Sequence, residues 1–278
     1  GDAEARANLA IEGMDLDADE RALFDMLREE AVPPPLATAI VLKLLDHLAI
    51  GYTFVTNNCS HAREEYVARL ARFGIEVEPE QIVTSADATI TYLAKLGLEV
   101  ASIYVVGTGA LKDALAGAGF EIVTGETEPE VVVVGFDTAL LYDDLCRACF
   151  WIGQGKRFVA THPDTFCPTD EPTVLVDCGA VCACITASTG CEPEAVVGKP
   201  DPRILAPVLE RHGLVESQVA VVGDRLHTDI DLARRAGAFG VKVLTGDRHG
   251  EDDPEAPKPD LIVPGLAELG EAIEASRV

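Results

Sequence analysis

Short apolar runs rich in β-branched residues alternate along the chain with longer amphipathic stretches. Each apolar run predicts a strand, and each amphipathic stretch with apolar positions three or four residues apart predicts a helix. The predicted strands are Tyr52–Thr56, Ile82–Thr84, Ile103–Val106, Val131–Val134, Phe158–Ala160, Val219–Val222 and Val241–Leu244. The clearest predicted helices are Leu36–Ala49, Ser60–Phe73 and Ala86–Leu96.

The order strand, loop, helix repeats along most of the chain, and the strands carry no polar face. Strands that are apolar on both sides are typical of parallel sheets covered by helices on both faces. The pattern therefore predicts an α/β fold. In such folds ligands bind beyond the carboxyl ends of the strands, so the polar residues that follow each strand are the candidates for chemistry.

Composition and charge narrow the class of protein. The 278 residues are 48% hydrophobic and 25% charged, which is typical of a globular chain. The net charge of −25 disfavours binding to a nucleic-acid backbone. Without a transmembrane-length apolar run or a signal-peptide pattern at the N-terminus, we expect a cytoplasmic protein with no membrane partner.

The eight cysteines raise the question of a zinc site. Cys146 and Cys149 have zinc-like spacing, but they fall in an amphipathic helical pattern, and no matching second pair follows. Cys178, Cys182 and Cys184 do not form a zinc-ribbon arrangement either. We therefore interpret these cysteines as reduced, buried thiols.

Three strand ends carry residues suited to phosphate chemistry. After the first strand, Thr56 and the following Asn57 and Asn58 can hold a phosphate oxygen with a hydroxyl and backbone N–H groups, although Thr56 or Asn57 capping the next helix is the simpler interpretation. Further along, Lys199 stands between Gly198 and Pro200, which predicts a loop that fixes the ammonium group.

The third strand end carries two carboxylates. Asp224 follows the strand directly after Gly223, and Asp229 comes five residues later. Carboxylates at such a position suit Mg²⁺, which prefers oxygen ligands. Asp229 could instead cap the next helix, whereas a carboxylate at Asp224, directly after a buried strand, needs a partner.

Taken in chain order, these motifs resemble the haloacid dehalogenase (HAD) superfamily, in particular subfamily IIA, the NagD-like and 4-nitrophenyl phosphatase-like group. The resemblance runs from about residue 36 to 246. Its most specific strings are FVTNNCSHA, VTSADAT, VVVGFDT, VATHPDTFCPT, DCGAVCA, VVGKPDP and VVGDRLHTDI.

The resemblance implies a Rossmann-like core with a parallel sheet, interrupted by an inserted α/β cap domain of the C2 type. The core would comprise residues 1–95 and 190–278, and the cap residues 96–189. It also implies a Mg²⁺-dependent phosphomonoesterase that acts on a small phosphorylated metabolite through an aspartyl-phosphate, and a possible homodimer formed through the cap.

The resemblance assigns roles to individual residues. Thr56, with Asn57 and Asn58, would bind the phosphoryl group, and Lys199 would neutralise its charge. The metal ligands would include Asp224 and Asp229. Contacts from the cap to the substrate would come from the residues His162, Asp177, Cys178 and Gly179, where His162 replaces the asparagine usual in the family.

The nucleophile is less well defined, because no intact copy of the family's Asp-x-Asp-Gly motif exists. Asp15 and Asp17 keep the spacing of nucleophile and acid/base, and both would bind the metal, but Ala18 replaces the glycine. Asp25 lies at the expected distance from Asn57 and is the alternative nucleophile, but it has no acid partner two residues on; its stretch also fits a plain helix. The alternative function is a catalytically impaired HAD-fold protein that binds a phosphorylated ligand or a partner protein.

Overall fold

The structure is a computed structural model, and it describes residues 34–98, 101–168, 172–246 and 253–275. Asp15, Asp17 and Asp25, the candidates for the nucleophile, lie outside the described residues. The positions proposed for phosphate and metal at Thr56, Lys199, Asp224 and Asp229 lie within them.

Helices and strands alternate in the described part of the chain. The helices are α1 (Pro34–His47), α2 (Arg63–Ala71), α3 (Ser85–Lys95), α4 (Gly109–Gly117), α5 (Tyr142–Gly153), α6 (Cys178–Thr189), α7 (Ala206–His212), α8 (Asp231–Ala236) and α9 (Leu266–Ala275). The strands are β1 (Phe54–Thr56), β2 (Ile82–Thr84), β3 (Ser102–Val106), β4 (Glu121–Val123), β5 (Val131–Val134), β6 (Arg157–Ala160), β7 (Phe166–Pro168), β8 (Val174–Val176), β9 (Ala195–Val196), β10 (Ala220–Gly223), β11 (Phe239–Val243) and β12 (Leu261–Val263).

These strands pair mainly in parallel. β1 pairs with β2, and β10, β11 and β12 form a three-stranded sheet in that order. The largest described sheet has five parallel strands in the order β4-β3-β5-β6-β9. Only β7 and β8, among the described strands, pair antiparallel. The predicted α/β class with parallel strands is confirmed.

The five-stranded sheet is buried on both faces, as its apolar strands predict. On one face, Val131 and Val133 of β5 pack in a cluster with residues of α3 and α4. On the other face, Val132 and Val134 pack against α5 and α6. Because successive side chains of a strand point to opposite faces, a run of four buried valines is what a strand between two helical layers requires.

Several predicted elements match closely, and the cysteine interpretation needs a correction. β2 and β5 have the predicted bounds, and α1, α2 and α3 lie where helices were expected. None of the eight cysteines forms a disulfide, but Cys146, Cys184 and Cys191 are exposed, so burial holds only for Cys59, Cys178 and Cys182. The exposed thiols lie on the outward sides of their helices or in a loop, which a cysteine's average preference for the interior does not predict.

The division into core and cap at residues 95 and 189 remains a prediction. β9 follows the second boundary and pairs with β6. No helix in the described ranges is long and apolar enough to cross a membrane.

Candidate active site

Thr56 ends β1, and its hydroxyl shapes the turn that follows. Thr56 Oγ1 accepts a hydrogen bond from the Asn58 backbone N–H at 3.1 Å. The residue that caps α2 is Ala62, so neither Thr56 nor Asn57 caps that helix. The Asn58 side chain accepts hydrogen bonds from the N–H and hydroxyl of Ser60 at 2.9 and 2.7 Å. The capping interpretation is therefore wrong. The turn after β1 is stabilised by hydrogen bonds among its own residues and does not belong to α2.

Asn57 connects this turn to the loop that carries Lys199. Its Oδ1 accepts a hydrogen bond from the Lys199 N–H at 2.7 Å, and its Nδ2 donates to the Lys199 carbonyl at 3.0 Å. Nδ2 also donates to Asp164 Oδ2 at 3.0 Å. Asn57 is only 7% exposed, and its amide binds the Lys199 loop and the loop that carries Asp164.

The Lys199 ammonium group is fixed between β1 and the turn that follows β10. Its Nζ donates to Asp229 Oδ1 at 2.8 Å and to the Val55 carbonyl at 3.2 Å. The prediction that this lysine lies on a loop is confirmed, since it follows β9 and precedes Pro200 without entering a helix. A half-buried cation with two fixed acceptors is well placed to neutralise an anionic group nearby.

Asp224 and Asp229 flank the end of β10, and each depends on a glycine. A Cβ on Gly223 would lie 2.3 Å from Asp229 Cγ, and a Cβ on Gly246 would lie 2.1 Å from Asp224 Oδ2. The buried Lys242 donates from Nζ to the Asp224 carbonyl at 2.7 Å. Asp229 lies in a π-helical turn and accepts a hydrogen bond from the Arg225 N–H at 3.2 Å, so it does not cap α8.

The loop after β6 brings the remaining predicted residues together. His162 lies 3.3 Å from Asp164 Oδ2 through Nδ1 and 3.5 Å from Asp177 Oδ1 through Nε2. Asp177 caps α6 by accepting from the Cys178 N–H at 2.6 Å. Gly179 allows the loop to pack here, because a Cβ on it would lie 2.1 Å from the Pro163 carbonyl oxygen.

Comparison with known proteins decides which family these strand ends belong to. A family model described as haloacid dehalogenase-like hydrolase matches residues 28–121, and one described as HAD-hydrolase-like matches residues 196–269. An acid sugar phosphatase from Staphylococcus aureus is 34% identical over 207 residues, which cover 73% of this chain and 78% of that protein. The chain belongs to the haloacid dehalogenase-like hydrolases.

Solved structures give the same relationship. A 4-nitrophenylphosphatase from Thermotoga maritima superposes with a TM-score of 0.79 at 36% identity, over 87% of this chain and 90% of that chain. A glycerol phosphate phosphatase from Mycobacterium tuberculosis, solved with magnesium, superposes with a TM-score of 0.75 at 32% identity, over 83% and 70% of the two chains. The same phosphatase was also solved with calcium. The chain is thus a phosphatase-type HAD hydrolase that resembles subfamily IIA members over most of its length.

Burial and neighbouring charges shift the pKa values in the loop after β6. Burial raises the pKa of Asp164, but His162 and Asn57 lower it by more, so the pKa of this carboxyl lies below its usual range. Burial lowers the pKa of His162, while Asp164 and Cys59 raise it, and the balance lies well above the usual range. For Asp177 burial prevails and raises the pKa.

The sequence reasoning placed several residues correctly at strand ends but missed others. It did not single out Asp164, although this residue lies two positions after His162 in a motif that was recognised. It also missed that Asn57 binds loops rather than standing free. His162, Asp177 and Cys178 are at most 5% exposed, so their predicted contact with substrate remains a prediction that requires this loop to open.

Proposed function

We propose that this HAD-type phosphatase is a Mg²⁺-dependent phosphomonoesterase that hydrolyses a small phosphorylated metabolite through an aspartyl-phosphate. The observation that carries the proposal is the junction made by Asn57, which fixes the Thr56 turn and the Lys199 loop to each other beside Asp229. Three loops from distant parts of the chain thereby converge where β1, β9 and β10 end, and the carboxyl ends of strands are the usual location of a ligand site in α/β folds.

Each of these residues has a task in phosphoryl transfer. The Thr56 hydroxyl and the backbone N–H groups of its turn would bind the non-bridging phosphate oxygens. The Lys199 ammonium would offset the negative charge that the phosphoryl group and a carboxylate nucleophile bring together. Its hydrogen bonds to Asp229 and Val55 hold it in place before substrate arrives, so little reorganisation is needed in the transition state.

Asp224 and Asp229 provide the oxygen donors that a hard divalent cation requires. The carboxylate of Asp224 lies against Gly246 at the end of β10, and that of Asp229 lies against Gly223, which fits the donor chemistry of Mg²⁺. When bound, Mg²⁺ would supply Lewis-acid stabilisation of the phosphate and help to orient it. The amino-terminal ligands of the family motif would come from Asp15 and Asp17, which lie outside the described residues.

Asp15 is the proposed nucleophile and Asp17 the proposed acid/base. Asp15 would attack phosphorus, Asp17 would protonate the leaving oxygen, and Asp17 would then take a proton from the water that hydrolyses the aspartyl-phosphate. Asp25 is the alternative nucleophile. If it were used, the acid/base step would have no carboxylate two residues on, and turnover would fall by about 10²–10⁴-fold relative to a complete pair.

The substrate class is supported by the relatives. The acid sugar phosphatase and the glycerol phosphate phosphatase are named for small phosphorylated polyhydroxy compounds, and we propose the same class here. A cytoplasmic location, expected from the sequence, and a homodimer formed through the cap, implied by the family resemblance, are also part of the proposal.

Hydrolysis of 4-nitrophenyl phosphate with and without Mg²⁺ tests the proposal. The variants are Asp15→Asn, Asp25→Asn and Asp224→Asn, with Asp113→Asn as the control, because Asp113 is exposed on α4. We expect Mg²⁺-dependent turnover in the wild type, its abolition in Asp15→Asn and Asp224→Asn, and full turnover in Asp25→Asn and in the control.

Two results would change the conclusion. Loss of turnover in Asp25→Asn but not in Asp15→Asn would transfer the nucleophile to Asp25. A wild type with no Mg²⁺-dependent turnover above the Asp224→Asn background, on 4-nitrophenyl phosphate and on a panel of sugar and polyol phosphates, would favour the catalytically impaired, ligand-binding alternative.

A further inference from the structure

Next to the proposed phosphate site lies a buried group that the phosphatase reaction does not require. His162, Asp164 and Asp177 offer ligand atoms that all lie within 4.8 Å of one another. Within the described residues, no other set of three His, Cys, Asp or Glu side chains meets this condition. The group is separate from Asp224 and Asp229, where the Mg²⁺ of the reaction is expected.

The histidine of this group lacks the partners that a buried imidazole needs. His162 is 1% exposed, yet neither of its ring nitrogens makes a hydrogen bond of acceptable geometry within the described part of the chain. Both nitrogens nevertheless point toward carboxylate oxygens, at 3.3 Å for Asp164 and 3.5 Å for Asp177. Buried polar atoms are almost always satisfied, so this imidazole indicates a missing ligand: one cation would take one nitrogen, and the N–H at the other nitrogen would face a carboxylate.

The charge of the group calls for a cation. Both carboxylates are largely shielded from solvent, with side-chain exposures of 22% for Asp164 and 7% for Asp177. Among the described residues, neither forms a direct ion pair with a lysine or an arginine, although the charge of Arg225 lies near enough to lower the pKa of Asp164. The pKa of His162 lies well above its usual range, so without a metal its proton balances one of the two carboxylates. Buried charges must be paired or must coordinate a metal ion, and a divalent cation that displaces this proton would match the charge of both carboxylates.

We propose that His162, Asp164 and Asp177 form a second metal site that binds a divalent transition-metal ion, with Zn²⁺ as the ion that fits best. An imidazole nitrogen suits Zn²⁺ but not Mg²⁺ or Ca²⁺, which take oxygen ligands. One ion can be bound by only one ring nitrogen of His162, so only one of its two separations applies to the site. Bonds of about 2.0–2.1 Å in tetrahedral geometry place neighbouring ligand atoms about 3.3 Å apart, which matches the separation of Nδ1 from Asp164 Oδ2. All three ligand atoms lie within 4.8 Å of one another, and the Asp177 carboxylate would close the remaining distance when the ion binds.

The location of the ligands gives the ion a positioning role. His162 and Asp164 lie on the loop after β6, and Asp177 caps α6, so the ion would lock this loop to the start of the helix. Asp164 also accepts a hydrogen bond from Asn57, which in turn holds Lys199. Zinc would therefore stabilise the fold and rigidify the edge of the phosphate site without touching the reacting atoms.

Zinc binding to tag-free, chelator-treated protein tests this proposal. Isothermal titration with Zn²⁺ in an excess of Mg²⁺, combined with metal analysis after gel filtration, measures affinity and stoichiometry while Mg²⁺ occupies the oxygen-ligand site. We expect about one zinc ion per chain and a rise in Tm with Zn²⁺. Loss of an outer partner of a metal ligand typically weakens binding 10–100-fold, so loss of a ligand itself should weaken it at least that much.

The variants keep the shape of the site and remove only its ligand chemistry. His162→Asn, Asp164→Asn and Asp177→Asn should each abolish the high-affinity zinc ion, and Asn at 177 can still cap α6. His212→Asn, at an exposed histidine of α7, is the matched control and should bind zinc like the wild type. Circular dichroism confirms that each variant is folded.

Three outcomes would overturn the proposal. The first is a wild type that binds no zinc, which would mean that a proton on His162 alone balances the carboxylates. The second is a folded His162→Asn variant with unchanged zinc affinity. The third is binding that is lost in Cys146→Ser or Cys149→Ser but retained in His162→Asn, because it would place the ion on the thiols of α5. None of these readouts depends on phosphatase activity.

Discussion

Replacing Asn57 by alanine removes the junction between the Thr56 turn and the Lys199 loop. The variant loses three hydrogen bonds, two to the Lys199 backbone and one to Asp164. A typical hydrogen bond contributes about 1 kcal/mol net, and a buried partner left unsatisfied costs about 1–3 kcal/mol. Because the site is shielded from solvent, we expect the free energy of unfolding to fall by about 2–4 kcal/mol.

The catalytic effect should exceed what the stability loss explains. Without Asn57 the Lys199 backbone has lost both contacts that fix its position, and a misplacement of about 1 Å typically costs about 10²-fold in rate. We therefore expect kcat for 4-nitrophenyl phosphate to fall about 10²-fold. Urea unfolding followed by circular dichroism measures the stability, and steady-state kinetics at 25 °C measure kcat and KM.

Two further variants make the experiment decisive. Ile152→Ala, in α5 on the other face of the five-stranded sheet, should cost about 2–5 kcal/mol by creating a cavity, but should leave kcat within a few-fold of the wild type. Asn57→Asp keeps an acceptor for the Lys199 N–H but sets a carboxylate against Asp164 Oδ2 and the Lys199 carbonyl, so its kcat should fall at least as far as that of Asn57→Ala. The reasoning is refuted if a folded Asn57→Ala variant retains the kcat of the wild type, or if Ile152→Ala loses as much kcat.

Three other substitutions test separate parts of the structure. Gly223→Ala places a Cβ 2.3 Å from Asp229 Cγ, so Mg²⁺-dependent turnover should fall by at least an order of magnitude in the same kinetic assay. Tyr66→Phe removes the hydroxyl that donates to the Asn58 carbonyl at 3.0 Å, and urea unfolding should show a loss of about 1 kcal/mol. Burial raises the pKa of Asp231, but the two arginines of α8 lower it by more, so the folded-state pKa lies below the usual aspartate value. The stabilisation that Asp231 gives is therefore present above the usual aspartate pKa and is lost as the pH falls through the lower folded-state value. Asp231→Asn should cost only about 1–2 kcal/mol at pH 7, because the arginines are half exposed and screened. The cost should be smaller in acid, where the carboxyl becomes protonated. An equal cost at both pH values, measured by urea unfolding, would contradict this.

The sequence predicted the fold well where the signal is local. β2 and β5 are continuous apolar runs, and their bounds follow from the side chains alone. β9 was missed because it has only two residues, Ala195 and Val196, and exists through its pairing with β6. β4, β7, β8 and β12 were missed too. Short strands of this kind are defined by distant partners and not by a pattern of their own.

The part of the candidate site that could be predicted consists of polar residues at the carboxyl ends of strands. Thr56, Lys199 and Asp224 each stand just after an apolar run, so their positions could be inferred without a structure. The junction at Asn57 could not, because its partner Lys199 lies 142 residues further along the chain. The comparison with the family motif likewise showed that His162 replaces an asparagine, but it could not predict that His162 is buried between two carboxylates.

The continuous pairing from β6 to β9 restricts how this enzyme's specificity can be redesigned. The Val197 N–H donates to the Ala160 carbonyl, so the loops that begin at residues 161 and 197 start side by side. A Cβ on Gly198 would come within 2.5 Å of His162 Cβ and 2.7 Å of Asn57 Oδ1. A loop transplanted from a relative at 161–168 therefore has to bring its own residues for positions 57 and 198, and graft libraries that vary one segment at a time will return mostly misfolded clones.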